Sequence, residues 1–300
     1  MGNKGLKHAF PGIITGASTG IGRGLAIKLA ADHKARLVIN ARSHDSLEET
    51  KNAVEAKGGQ CFAVVGDIAD PVVRQRMVDT CMKEFGGIDL LVNNAGLAKP
   101  GLAKNLSTDI WRQVFEVNFF ACLDSIYQVL PQFLKQGYGK IVNISSVAGK
   151  VAFAGSVCYS SSKFALTAMS NGMAAEFAGE NIDVLTVCPG WVRTEFFEKN
   201  AVADAKNPTL IGKEKSLRGW LMRQVLSIST EQAVDQIEVA LNKGGSHEIV
   251  MTAPGKFIER VQGMTPNLIH AVNRRLPLDV LDSSRREEAQ RVKEGPSINQ

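Results

Sequence analysis

The sequence predicts an α/β fold in which about seven parallel strands form one doubly wound sheet with helices on both faces. Two observations carry this. Short apolar runs alternate with longer helical patterns along the chain. The runs are rich in valine, isoleucine and leucine and show little polar alternation, as strands buried on both faces do. At 300 residues the chain is long enough for one large α/β domain with a substantial core.

The elements follow in order. "GIIT" (12–15) reads as the first strand and leads into the helix "GIGRGLAIKLAADH". Pro11 stands at the very start of that strand, where a missing donor is tolerated. "ARLVIN" (35–40) is the second strand, followed by a charged helix through residue 57. "CFAVVGD" (61–67), a helix near 71–85 and "IDLLVNNAG" (88–96) come next. One long helical pattern covers about 108–135, then "KIVNISS" (140–146) and a helix over 157–178. "IDVLTVCPG" (182–190), a helix near 230–242 and "HEIVM" (247–251) complete the rhythm. The expected organisation is a catalytic domain over 8–251, with a loop or lid at 194–226, and an extension at 252–300.

Composition excludes several classes. The 35 basic and 30 acidic residues are spread along the chain, and a net charge of +5 gives no footprint for nucleic acid. The five cysteines include no CxxC pair and read as reduced thiols; the five histidines show no metal spacing, so no metal is expected. The N-terminus lacks the apolar core of a signal peptide, and no apolar run approaches the ~20 residues of a membrane span. The expectation is a soluble, cytoplasmic protein.

"TGASTGIG" (15–22) lies between the first strand and the first helix. Gly16, Gly20 and Gly22 let the backbone turn tightly and approach a pyrophosphate, whose charge the helix N-terminus meets. The plainer reading is an ordinary strand-to-helix turn, since GxxxGxG is not the usual GxGxxG spacing. Many such domains carry an acid for the adenosine ribose about twenty residues on. Here the second strand ends "INARS", without a carboxylate. An acid would repel a 2′-phosphate, whereas Arg42 offers it a fork of donors, so NADP(H) is expected over NAD(H). Otherwise Arg42 is a solvated surface arginine.

With "GDIAD" (66–70), "NNAG" (93–96), "FEVNFFA" containing Asn118, "ISSVAG" (144–149), "YSSSK" (159–163) and "PGWVRT" (189–194) in the same order, the chain resembles a short-chain dehydrogenase/reductase over about residues 10–251. The resemblance implies a single Rossmann-type domain and reversible carbonyl–alcohol chemistry with a nicotinamide cofactor. It assigns catalysis to Ser146, Tyr159 and Lys163, with Asn118 as fourth member; Ser146, not Ser145, has the family's thirteen-residue spacing to the tyrosine. It implies cofactor contacts from Gly16, Ser18, Thr19, Gly20, Ile21 and Gly22, and from Arg42 and Ser43. Asp67 and Ile68 would lie near the adenine, and Asn93, Asn94, Ala95 and Gly96 on the adenosine side. Pro189, Gly190, Val192 and Thr194 would run along the nicotinamide, with Tyr159 and Lys163 at its ribose. Relatives of this kind are often homodimers or homotetramers.

The tyrosine–lysine pair has a physical purpose. Residues four apart share one helix face, so Lys163 is held beside Tyr159. A nearby ammonium favours the phenolate and is expected to lower the phenol's pKa by about 1–3 units. Ser146 would orient the carbonyl and stabilise charge on its oxygen, and Asn118 would hold a water linking Lys163 to solvent. Alone, YxxxK reads as a surface pair; the whole constellation supports catalysis. Cys158 and Cys188 abut motif residues but read as buried small hydrophobes.

Phe196, Phe197, Leu210, Trp220 and Leu221 are read as walls of an apolar pocket in the lid, or as its packing onto the core. In the extension, Phe257, Val261, Met264, Leu268, Val272 and Leu276 recur at helical spacing around Pro266. That stripe is expected to face core, with a subunit contact or a membrane surface beside Arg274 and Arg275 as alternatives. The function expected is NADP(H)-dependent interconversion of a carbonyl and a secondary alcohol on a medium-to-bulky apolar molecule: a steroid, retinoid, fatty-acyl or xenobiotic ketone. The rival readings are a catalytically silent cofactor-binding regulator or scaffold, and a peripheral membrane protein acting through its tail.

Overall fold

The structure, a computed structural model, describes residues 5–193 and 227–274. Its first half comprises β1 (Pro11–Thr15), α1 (Gly20–His33), β2 (Arg36–Ala41), α2 (His44–Ala56), β3 (Gln60–Val65), α3 (Pro71–Phe85) and β4 (Leu90–Asn93). The second comprises α4 (Thr108–Phe115), α5 (Ala121–Gln136), β5 (Gly139–Ile144), α6 (Val157–Glu176), β6 (Ile182–Cys188), α7 (Thr230–Lys243) and β7 (His247–Val250). The seven strands pair in parallel in the order β3-β2-β1-β4-β5-β6-β7. The doubly wound sheet expected from the apolar runs is therefore present. Trp191–Val192 pairs with Ser227–Ile228 as a separate two-residue ladder.

Alternation along the strands builds two cores. Ile14, Leu37 and Leu90 face one side with Leu25 and Leu29 of α1, Leu47 of α2 and Ile237 of α7. Ile13, Val38 and Leu91 face the other with Met77 of α3 and Val129 and Phe133 of α5. All of these are at most 1% exposed, and each contributes roughly 1.5–3 kcal/mol by burial. The charged helices are held in place by their ends. Asp70 caps α3 by accepting from Val72 N, Pro71 opens it, and Gly86 ends it in the left-handed region at φ 76°.

Two stretches depart from the sequence reading. The long helix over 108–135 is broken by a π-turn, Glu116–Phe120, which carries Asn118. Beyond β7, the extension forms α8 (Ala253–Met264) and α9 (Pro266–Arg274). Of its apolar stripe, Phe257, Met264 and Leu268 do not face core, being 68%, 83% and 54% exposed, whereas Val261 is half-buried; the Val272 side chain, Arg275 and Leu276 lie outside the described residues. The helix seats by its opposite face, where Gly255 is buried so close to Val147 that a Cβ would lie 2.7 Å from Val147 Cγ2.

The strand order reverses between β1 and β4, which opens a crevice at their carboxyl ends. Thr15 and Asn94 close its floor. The Asn94 and Ala95 amides both donate to Thr15 Oγ1 at 3.0 Å. Asn94 Nδ2 donates to the carbonyls of Thr15 and Gly16 at 2.9 Å each. So close an approach requires glycine twice. Gly16 has φ 64° and a Cβ there would stand 2.8 Å from Ala95 Cα. A Cβ on Gly22 would collide with Asn94 Nδ2 and the Gly16 carbonyl. Gly22→Ala is accordingly expected to cost about 1–3 kcal/mol by forcing these turns apart. A thermal melt unchanged from wild type would contradict that packing.

Candidate active site

The site gathers where β5 and β6 run out beside α6. Ser145 and Ser146 follow β5 immediately, and their environments differ. Ser145 is 3% exposed; its hydroxyl donates to the Lys163 carbonyl at 3.1 Å and meets Thr167 Oγ1 at 2.6 Å, so it joins the loop to α6. Ser146 is extended at φ −171° and caps the short turn Val147–Gly149, its Oγ accepting from Ala148 N at 3.0 Å. Its hydroxyl also hydrogen-bonds the Tyr159 phenol. The turn is pinned from behind, because Val147 N donates to the Pro189 carbonyl at 2.8 Å.

Tyr159 and Lys163 lie on the inward face of α6, 8% and 3% exposed. Lys163 Nζ donates to the Ile144 carbonyl at 2.8 Å and stands 5.8 Å from the Tyr159 ring centroid. Burial pushes the phenol up to about 12, opposed only in part by the Ser146 hydrogen bond. The lowered phenol expected from the sequence is thus not seen: burial raises it, and the Lys163 ammonium is directed at the Ile144 carbonyl. Burial also lowers Lys163, to about 8. The pair is thus a protonated phenol beside an amine that is mostly charged at neutral pH and loses its charge near pH 8. Such a phenol can donate a proton to an oxygen that is gaining charge.

Asn118 is fully buried in its π-turn, and both of its amide hydrogens are taken. Oδ1 accepts from Leu97 N at 2.7 Å, while Nδ2 donates to the Leu97 carbonyl and to Ser162 Oγ, both at 2.9 Å. The side chain thereby fastens the 97 loop to α6. Asn93 needs a correction. Its Nδ2 donates to Asn143 Oδ1 at 2.9 Å, and Asn143 continues to Ser170 Oγ at 2.8 Å. It is 2% exposed and belongs to this interior chain, not to the adenosine side of the crevice.

The remaining expected residues follow the carboxyl ends of the strands. Gly16, Ser18, Thr19, Gly20, Ile21 and Gly22 form the turn at the N-terminus of α1. Thr19 makes no side-chain cap there and the first turn carries no acid, so an anion meets open amides and the positive end of the helix. Arg42 and Ser43 end β2; Arg42 is exposed and has no ion-pair partner among the described residues. Asp67 is exposed beside buried Ile68, its Oδ1 accepting from Ala69 N at 3.0 Å. Asn94, Ala95 and Gly96 follow β4, and Pro189, Gly190 and Val192 follow β6. This donor set fits a nicotinamide dinucleotide along its whole length: amides for a pyrophosphate, a free guanidinium at the adenosine end and a proton donor at the other. Thr194 and the lid residues Phe196, Phe197, Leu210, Trp220 and Leu221 lie outside the described residues.

Two features were not found by reading the sequence. Thr15, hidden at a strand end, anchors the crevice through its hydroxyl. Lys150, four residues after Ser146, pairs with Glu248 of β7 at 2.9 Å and Glu259 of α8 at 3.2 Å, tying the serine turn to the extension. Cys158 and Cys188 are buried with thiols pushed up to about 11 and about 12 by desolvation, so both are inert hydrophobes.

A parallel sheet of this order, with a glycine turn at its reversal and a protonated phenol buried beside an amine, defines an oxidoreductase of the carbonyl–alcohol class. The chain belongs to the family described as short chain dehydrogenase, whose profile matches residues 12–204. It is 32% identical over 224 residues to the ketoacyl reductase HetN of Nostoc sp., covering 75% of this chain and 78% of that one. It is 33% identical over 187 residues to the 3-oxoacyl-[acyl-carrier-protein] reductase FabG of Staphylococcus aureus, covering 62% and 76%. In structure it resembles a short chain dehydrogenase/reductase of Burkholderia phymatum crystallised with NAD, with a TM-score of 0.74, 23% identity and coverage of 87% and 96%.

Replacing Asn118 by alanine leaves both main-chain groups of Leu97 without their buried partners. The expected loss is on the order of 2–4 kcal/mol, read as a lower urea midpoint. An unchanged midpoint would return the residue to a purely catalytic reading.

Proposed function

We propose that the protein is an NADP(H)-dependent reductase that interconverts a ketone and a secondary alcohol on a medium-to-bulky, largely apolar substrate. The observation that carries this is the grouping of half-buried Ser146 with buried Tyr159 and Lys163 where β5 and β6 end. Ser146 orients the substrate carbonyl through its hydroxyl. Tyr159 gives its proton to the carbonyl oxygen as negative charge develops there, and Lys163 stabilises the phenolate left behind. Main-chain atoms around Asn118 hold the water through which the proton is restored. In this reading residues 8–251 form the catalytic unit. The turn Gly16–Gly22 binds the pyrophosphate, Arg42 and Ser43 a 2′-phosphate, Asp67 and Ile68 the adenine, and Pro189–Thr194 the nicotinamide. When bound, the nicotinamide supplies hydride to the carbonyl carbon or takes it back.

The relatives named as ketoacyl reductases support a 3-ketoacyl group among the candidate substrates. The free, exposed Arg42 supports the phosphorylated cofactor. A homo-oligomer is part of the reading: Phe120, Tyr127 and Leu134, seven apart, are 46%, 60% and 48% exposed along one face, with Phe164 of α6 at 40%. A cytoplasmic setting accords with five free cysteines.

Four measurements check this. With NADPH and ketones graded from small to steroid-sized, including a 3-ketoacyl thioester, turnover should rise with apolar bulk and vanish in Tyr159→Phe. The phenol stays protonated throughout the physiological range, while Lys163 loses its charge as pH rises through about 8. The reductive kcat/KM should therefore be full below that pH and fall above it; a flat profile to pH ~10 would contradict the role of Lys163. Arg42→Asp should shift the NADPH/NADH preference at least about tenfold towards NADH, the worth of one charge-assisted contact. An unchanged ratio removes Arg42 from the cofactor site. Tyr127→Glu should halve the mass measured by light scattering if α5 is the subunit interface, and retention of the wild-type mass would exclude that face.

A further inference from the structure

The extension presents a second surface, remote in role from the cofactor crevice. α8 is fixed on one side by Gly255 against Val147 and by Glu259 on Lys150. On its other side Lys256, Phe257, Arg260 and Met264 share a face by the three-and-four spacing, and all are exposed. α9 adds exposed Leu268 and Arg274. The only carboxylate between residues 253 and 274 is Glu259, which faces inward to its lysine. Lys256, Arg260 and Arg274 make no ion pair among the described residues. No described helix is long and apolar enough to cross a membrane.

We propose that this face docks the enzyme on an anionic lipid surface. Three large apolar side chains enter the boundary between headgroups and acyl chains, and three cations meet the headgroup charge beside them. Neither signal suffices alone, since an apolar stripe this short or three cations by themselves bind weakly and reversibly. Charge separates this occupant from a second copy of the chain. Across a twofold axis the face would meet itself, setting cations against cations with no exposed carboxylate on it among the described residues. A bilayer containing phosphatidylserine answers all three. The inference does not depend on the reaction proposed above.

The test is flotation of the full chain with vesicles of phosphatidylcholine alone and of phosphatidylcholine with phosphatidylserine. Binding to the anionic vesicles should be stronger by roughly a hundredfold, about fivefold for each of three cations, and should weaken as salt is raised. Phe257→Glu with Met264→Glu should abolish it. Lys256→Glu with Arg260→Glu, which leaves the apolar stripe intact, should bring anionic binding down to the phosphatidylcholine level. Circular dichroism and soluble activity should be retained in both. Equal binding to the two vesicle types would overturn the proposal. So would wild-type protein that ignores both vesicles and whose mass in solution falls in the Phe257/Met264 variant, because the face would then belong to a second copy.

Discussion

The site depends first on how closely β1 and β4 approach where the sheet reverses direction. The crevice there exists because two turns that leave in opposite directions are held by one hydroxyl and one side-chain amide. Thr15 Oγ1 takes two amides and Asn94 Nδ2 supplies two carbonyls. Four hydrogen bonds in a partly buried setting fix the geometry more firmly than apolar contact, because each unmade bond would leave a polar group without water. Gly16 and Gly22 are consequences of this closeness. Their lack of a Cβ serves the protein's own packing as well as any pyrophosphate that lies across the turn.

From that floor the chemistry is set by desolvation. Placing a phenol and an amine at 8% and 3% exposure raises one pKa and lowers the other, so proximity alone does not make a phenolate. The ammonium is turned towards the Ile144 carbonyl, and Ser146 is the group that touches the phenol. A site built in this way keeps its proton donor loaded and leaves the charge on Lys163 sensitive to small changes around it.

Much of this was legible in the sequence. Valine- and isoleucine-rich runs announce strands buried on both faces because that burial leaves no reason for polar alternation, and the helical patterns between them announce a parallel, doubly wound sheet. Ser146, Tyr159 and Lys163 are brought together as their motifs imply. What the sequence hid depends on distances between remote segments. Asn93 and Asn94 are adjacent and alike, yet a strand sends successive side chains to opposite faces, so one enters the interior and the other the crevice. The phenol's pKa turns on burial, which the four-residue spacing to Lys163 cannot express. The apolar stripe of α8 satisfied the pattern for a core-facing helix, and it fails because Gly255 lets the opposite face approach Val147 more closely.

The Lys150 group gives the extension a place in the catalytic unit. Glu248 arrives from the last strand and Glu259 from α8, and both meet a lysine only four residues beyond Ser146. The lysine is raised despite its burial because two carboxylates outweigh the desolvation. A half-buried cation shared by two acids contributes little net stability, since the cost of removing three charges from water offsets most of the attraction. Its value lies in specificity: the three groups satisfy one another in a single arrangement of turn, strand and helix. Together with Gly255 against Val147, this holds the start of the extension behind the serine turn. The same helix that supports Ser146 from within thus presents its apolar and basic face outward, and a change in what that face touches would reach the serine turn through one lysine.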